Sequence, residues 1–370
     1  MSRAGQVHYS RTRKLISYFK KHPRSLSTIL IGLLTSRAAR RLGPDQTPIE
    51  EINPMLRNTP GLAELRTSAL SALTLPVPDL GVEEVRLLKC LFFLRADTEI
   101  ERIRRMPRGV TLVLDLEDSV AAEQKERQRS RIARLFRSGV FRRRHTLVRI
   151  NGPDNPDEMR ADLAHCLHPD LDGLLLAMVD SAGDIEEIDQ LVGRSERARG
   201  LEHGHTSFVP LLERPGAVLQ ASAIAVASPR NVALSFGHID FCLELNAEPC
   251  EEAVRVPRSM VLMAAKAHKL DAIAPTFLDL DDLDGFEREN RRMKRLGFDG
   301  CFALTPRQQE KALEVYSYTR EEIAHSRRVV KAIQEQGPIA KLDGKMIGPP
   351  MLKRALKILA DIGKELREAA

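Results

Sequence analysis

The chain has 370 residues, 43% hydrophobic and 29% charged, enough to bury one large core with an extension or two modest cores. Trp is absent and aromatics make up 4%, which argues against an aromatic stacking platform for single-stranded nucleic acid. The net charge of +6 sits at one end: residues 1–44 carry ten Lys or Arg and no Asp or Glu, leaving a remainder close to neutral or slightly acidic.

Residues 1–82 read as a basic N-terminal extension and linker. The Arg- and Ser-rich first part fits a poorly ordered tail, an organellar targeting segment or an anchor on an anionic membrane surface. Its apolar patch, 26–35, is too short to cross a bilayer. A Pro-bearing linker follows, with one short helix expected at 61–72. The five cysteines, Cys90, Cys166, Cys242, Cys250 and Cys301, show no C-x-x-C or metal-finger spacing. Their scatter fits reduced thiols in a cytoplasmic setting.

From residue 83 to 320 short apolar runs alternate with charged segments of helical period. Strands are expected at 88–94, 111–116, 146–150, 173–179, 208–212, 232–236, 272–275 and 301–304. Helices are expected at 98–106, 122–136, 156–166, 185–192, 216–227, 258–268, 283–296 and 307–316. Eight strand–helix pairs fit an α/β fold of the (β/α)8 TIM-barrel type. An open doubly wound sheet is disfavoured, because no G-x-G-x-x-G follows the first strand. Residues 321–370 add two helices, 321–336 and 349–368, joined by a Gly- and Pro-bearing loop. They read as a C-terminal helical appendage serving as lid or oligomerisation segment.

In such a barrel the strand C-termini meet at one face, and side chains distant in sequence converge there. This sequence delivers Glu117 and Asp118, then Arg149 and Asn151, then Glu213, then Asp240. Carboxylates from neighbouring strands suit Mg2+, with Mn2+ as an alternative, because hard cations keep positions open for water and substrate oxygens. Arg149 suits a two-pronged grip on a substrate carboxylate. That set matches enolate chemistry on a 2-oxo acid. Bland alternatives stand beside it. Glu117 or Asp118 could cap the next helix, Glu213 could start one before R-P-G, Asp240 could cap the segment from Phe241, and Arg149 could simply pair with the acids.

Several segments together resemble the citrate lyase beta subunit-like family of the HpcH/HpaI aldolase superfamily. They are L-D-L-E-D-S-V (114–120), V-R-I-N (148–151), L-L-E-R-P-G-A-V (211–218), L-S-F-G-H-I-D-F-C-L-E-L (234–245), P-R-S (257–259), L-G-F-D-G (296–300) and L-D-G-K-M-I (342–347). The resemblance implies a Mg2+-dependent carbon–carbon lyase on a TIM barrel. It would cleave or form a 3-hydroxyacyl-CoA, such as malyl-, citramalyl- or citryl-CoA, giving a 2-oxo acid and an acyl thioester. It also implies Glu213 and Asp240 as metal ligands, Arg149 as substrate anchor, Glu117 and Asp118 as acids near the metal waters, and a homotrimer or hexamer.

Four departures bear on that expectation. The usual F-V-P-G-x-R-P run is F-F-L-R-A-D-T here, placing Arg95 and Asp97 where a Gly and an Arg help seat the thioester's nucleotide. Met178 replaces a Lys, Thr305 replaces a His, and Gly348 replaces an Asp associated with proton transfer. Two other readings therefore stand: a CoA-independent aldolase for free 2-oxo acids, and a weakly catalytic binding or regulatory barrel.

Overall fold

The computed structural model describes residues 88–369. The basic extension, the linker and the helix expected at 61–72 lie outside the described residues. Eight parallel strands close into a barrel, each hydrogen-bonded to the next and β8 to β1. They are β1 (Cys90–Leu94), β2 (Thr111–Asp115), β3 (Thr146–Ile150), β4 (Gly173–Leu176), β5 (Ser207–Leu212), β6 (Ala233–Phe236), β7 (Asp271–Ala274) and β8 (Gly300–Ala303).

Both faces of every strand are covered, which is why the strands read as near-continuous apolar runs. Leu91, Val113, Leu147, Leu175, Val209, Ile273 and Phe302 fill the barrel interior. Alternate residues such as Phe92, Leu112, Leu114, Val148, Leu174 and Phe208 belong to the second apolar layer, with the helices.

The helices of the barrel are α1 (Ile100–Arg105), α2 (Lys125–Arg137), α3 (Pro156–Cys166), α4 (Ala182–Arg199), α5 (Pro215–Leu219), α6 (Ala221–Val226), α7 (His238–Glu244), α8 (Glu251–Ala267), α9 (Leu283–Leu296) and α10 (Pro306–Tyr316). Several start on side-chain caps: Ser181 with Asp184 closes a capping box on α4, and Asp282 and Thr305 cap α9 and α10.

Within the barrel three elements differ most from expectation. Strand β4 stops at Leu176 because Met178 adopts a left-handed φ of 53°. The helix expected at 216–227 is two short helices, α5 and α6, meeting at Gln220. The helix expected at 258–268 begins at Glu251, with Pro257 inside it and α7 ahead of it. A proline suggests a helix boundary, but Pro257 is buried, and its packing offsets the lost backbone hydrogen bond.

A second unit spans Thr319–Arg367. It holds α11 (Arg320–Gln336), a hairpin of β9 (Ala340–Leu342) and β10 (Lys345–Ile347), and all but the last two residues of α12 (Pro349–Ala369). The hairpin replaces the loop expected between the helices. Asp343 and Gly344 both have positive φ, 51° and 76°, as a two-residue turn of the hairpin-favouring hand requires. Among the described residues no helix is long and apolar enough to cross a membrane.

Candidate active site

The C-terminal ends of β2, β3, β5 and β6 bring the expected site residues to one rim. Asp115 closes β2 and is the register partner of Arg149 on β3. Arg149 Nε and Nη2 donate to the two oxygens of Asp115 at 2.7 and 2.6 Å. Its Nη1 lies 3.0 Å from Glu117 Oε2 and 3.6 Å from Asp118 Oδ2. The Phe93 ring supports the guanidinium, with Cζ 5.1 Å from its centroid. The two-pronged contact expected for a substrate carboxylate thus has Asp115 as its partner, and the Nη1 side faces the acids.

Burial alone would raise the Asp115 carboxyl, but the Arg149 fork and the Ser119 and Glu117 contacts hold it below the usual carboxylate range. Glu117 goes the other way. Burial and the neighbouring Asp118 push it up to about 7 against the pull of Arg149.

Glu213 follows the last residue of β5 and is 4% exposed. Its Oε1 accepts the Met178 N–H at 2.7 Å, a bond that the left-handed turn at Met178 aims. Gly237 lies close behind: a Cβ at that position would stand 2.5 Å from Glu213 Oε2. Burial pushes Glu213 up to about 8, with the charges of Asp240 and Glu117 adding to it. Asp240, in the first turn of α7, is half-buried and also raised, by burial and then by the charge of Asp118.

None of the capping alternatives is taken up, and the helix starts in question have no side-chain cap. Glu117 accepts the adjacent Asp118 N–H at 2.9 Å, while Ala121 precedes the next helical turn without a side-chain cap. Arg214 and Gly237 occupy the N-cap positions of α5 and α7. Asn151 lies beside the acids but turns away, toward Leu116 and Asp162. The Met178 amide is the participant that the sequence does not reveal, and so is the commitment of Asp115, rather than Glu117 or Asp118, to the Arg149 fork. Asp115 was visible in the acidic tip L-D-L-E-D, whereas no side-chain pattern marks an amide.

Neither Glu213 nor Asp240 has an ion-pair partner among the described residues, and both carboxyls are raised despite the charge of Arg149, so a cation placed between them would favour their ionised forms. A hard divalent cation suits that donor set. Among the described residues no three or more His, Cys, Asp or Glu side chains group as a complete metal cage. A cation here would rest on these two carboxylates, with water and ligand oxygens completing its coordination.

Arg95, Asp97 and Thr305 make local contacts of their own, while nothing in the structure explains the glycine at 348. Arg95 forks onto Asp97 at 3.0 and 2.9 Å, so the pair is self-neutralising at the tip of β1. Thr305 caps α10 by accepting the Gln308 N–H at 3.2 Å. Gly348 accepts the Leu352 N–H at 3.0 Å at the start of α12.

Residues 91–306 match the HpcH/HpaI aldolase/citrate lyase family. The citrate lyase subunit beta of Escherichia coli strain K12 is 31% identical over 255 residues, covering 67% of this chain and 84% of the relative. The L-malyl-CoA/beta-methylmalyl-CoA lyase of Cereibacter sphaeroides is 28% identical over 242 residues, covering 60% and 76%. The structure of CitE from Mycobacterium tuberculosis in complex with magnesium, acetoacetate and coenzyme A aligns with a TM-score of 0.61 at 26% identity, over 74% of this chain and 97% of that one. The matched segment runs from β1 through β8 and carries all five acids and the arginine of the rim, and by that match the chain belongs to the HpcH/HpaI aldolase/citrate lyase family of carbon–carbon lyases.

Proposed function

We propose that the barrel is a Mg2+-dependent lyase that cleaves or forms a 3-hydroxy acid or its CoA thioester, with a 2-oxo acid as one product. The observation that carries this reading is Glu213, a carboxyl 4% exposed with no ion-pair partner among the described residues, sharing a rim with Asp240. Burying an ionised carboxylate unpaired is costly, so Glu213 holds a proton up to about pH 8 until a counter-ion takes the proton's place. The magnesium in the Mycobacterium tuberculosis relative supports its identity.

Glu213 and Asp240 would hold the ion, and Mn2+ satisfies the same donors. When bound, Mg2+ supplies Lewis acidity that spreads the charge developing on a 2-oxo acid as a carbon–carbon bond breaks. Arg149 would take the substrate carboxylate at Nη1 in exchange for its contact with Glu117, while Asp115 keeps the guanidinium plane from turning. Glu117 Oε2 takes the Asp118 N–H and faces Arg149, leaving Oε1 to carry a proton. With its carboxyl raised to about 7, Glu117 can hold or release that proton near neutrality.

The CoA-linked names of the malyl-CoA lyase and the CitE complex favour a thioester substrate. The Arg95–Asp97 pair favours the CoA-independent aldolase, because its charges are spent on each other rather than on a nucleotide phosphate. Gly348 is the feature behind the weakly catalytic binding barrel. A homotrimer or hexamer is supported by the exposed apolar side chains Val256 and Met263 on α8 and Leu243 on α7. Free cysteines, four of them buried, fit a cytoplasmic setting.

Calorimetric titration of pyruvate, oxaloacetate and glyoxylate with and without Mg2+ tests the site. Absence of Mg2+-dependent binding of all three would end this reading. Comparing turnover of malyl-CoA and citramalyl-CoA with that of the free hydroxy acids separates the thioester lyase from the aldolase.

A further inference from the structure

Behind the acidic rim lies a polar chain that the proposed chemistry does not use. Lys125 opens α2, and its Nζ donates to Leu116 O at 2.9 Å, Glu117 O at 3.3 Å and Asn151 Oδ1 at 2.6 Å. An ammonium has three protons, and here all three have acceptors. Two of those acceptors are backbone carbonyls of the loop that presents Glu117 and Asp118.

Asn151 ties the same loop from the other side. Its Nδ2 donates to Leu116 O at 3.0 Å and to Asp162 Oδ2 at 2.6 Å, and its backbone N–H donates to Asp162 Oδ2 at 2.9 Å. Asp162, on α3, has no exposed surface. Its other oxygen accepts Arg129 Nε at 2.7 Å. Arg129, on α2, is 4% exposed and is also bound by Glu158. The chain therefore starts in a buried ion pair between two helices and ends under the acidic tip of β2.

We infer that Lys125 is a positioning residue, which, with Asn151 braced by Asp162 and Arg129, sets where the Glu117–Asp118 loop stands relative to Arg149 and the carboxylates of Glu213 and Asp240. On the barrel side the loop is held by strand β3, with Leu116 N–H donating to Arg149 O at 2.9 Å and Arg149 Nη1 lying 3.0 Å from Glu117 Oε2. Its amides satisfy one another locally, Glu117 and Ser119 donating to Asp115 and Asp118 donating to Glu117, so those bonds shape the turn without anchoring it to the outer helices. Lys125 supplies that anchor. A long side chain ordinarily carries a large rotamer entropy, and three fixed acceptors remove it in the folded state. The consequence for metal binding rests on the Mg2+ reading above; the consequence for loop order does not.

The test is hydrogen–deuterium exchange of the amides of residues 116–119 in metal-free protein, alongside Mg2+ titration and thermal melting, for Lys125→Met and Lys125→Arg. In Lys125→Met, exchange at Glu117, Asp118 and Ser119 rises at least ~10-fold while the barrel strands stay protected. Mg2+ affinity falls roughly 10- to 100-fold, as on loss of outer support to a metal site. Lys125→Arg, which keeps a charged donor, recovers most of both. Unchanged exchange at these amides in a folded Lys125→Met overturns the proposal. A uniform rise in exchange across the barrel also overturns it, since that would mark a general stability role. If Lys125→Met does not accumulate as folded protein, Lys125→Gln is read by the same criteria. Unaltered protein that binds no Mg2+ would remove the metal reading and leave the exchange result to decide the role of Lys125.

Discussion

Asp115 and Arg149 are register partners on β2 and β3, and their side chains close a two-pronged ion pair at 2.7 and 2.6 Å. Parallel pairing places the two residues side by side at the same height, so the pair follows from strand register rather than from loop placement. It holds the cation of the rim still while leaving the Nη1 side toward Glu117 and Asp118.

Asp115→Ala should therefore cost about 3 kcal/mol of folding stability, because Arg149 would keep a largely buried charge without its main partner. Asp115→Asn should recover part of it by restoring one acceptor. Urea denaturation measures both, and a loss under about 1 kcal/mol for the alanine variant would show the pair to be as weak as a solvated one.

Glu213 makes the stability of the metal-free protein depend on pH. Its carboxyl rises from 4.5 to about 8 on folding, so between those values the folded chain keeps a proton that the unfolded chain has released. Stability from this group is complete below pH 4.5 and is lost as the pH climbs toward 8. Glu213→Gln keeps the shape without the charge. Its advantage over the unaltered protein should grow by at most about 1.4 kcal/mol per pH unit across that range, without Mg2+. Parallel stability profiles for the two proteins would rule this out.

With Glu213 as a ligand, Mg2+ should reverse that trend, since a cation binds the ionised carboxyl. Its affinity should rise by up to about tenfold per pH unit, for one released proton, until Glu213 is fully ionised, and then level off. Calorimetry in two buffers of different ionisation enthalpy reads the proton release directly. A pH-independent affinity from 5.5 to 7.5 would mean that Glu213 is not a ligand.

Gly237→Ala should act on the site through space alone. The added Cβ would stand 2.5 Å from Glu213 Oε2 and 2.6 Å from its Cβ, so the carboxylate must shift. The expected result is a Mg2+ affinity lower by roughly 10- to 100-fold. Overpacking of this kind should cost about 1–3 kcal/mol of stability. Unchanged Mg2+ binding in a folded Gly237→Ala would show that Glu213 can move without consequence.

The sequence carried the fold because strands covered on both faces have to be apolar throughout and the helices between them have to be amphipathic. Leu112 to Leu114 and Leu174 to Leu176 could be recognised for that reason, and so could the carboxylates that follow such runs. The D-G turn of the β9–β10 hairpin was equally open to reading, since it flanks itself with apolar residues, yet it was taken for loop. Pro257 misled in the opposite direction, because a proline's burial is invisible until its neighbours are placed.

By itself, then, the sequence determined eight strand–helix units and which acids and cation ride at their ends, because those features are local and periodic. Tertiary structure decided the partners. Arg149 is committed to Asp115, the Met178 amide is aimed at Glu213, and Asn151 is drawn back to Lys125 and Asp162. Such assignments depend on barrel closure and strand register, which bring groups far apart in the chain within 3 Å of one another, a distance that no spacing along the chain encodes.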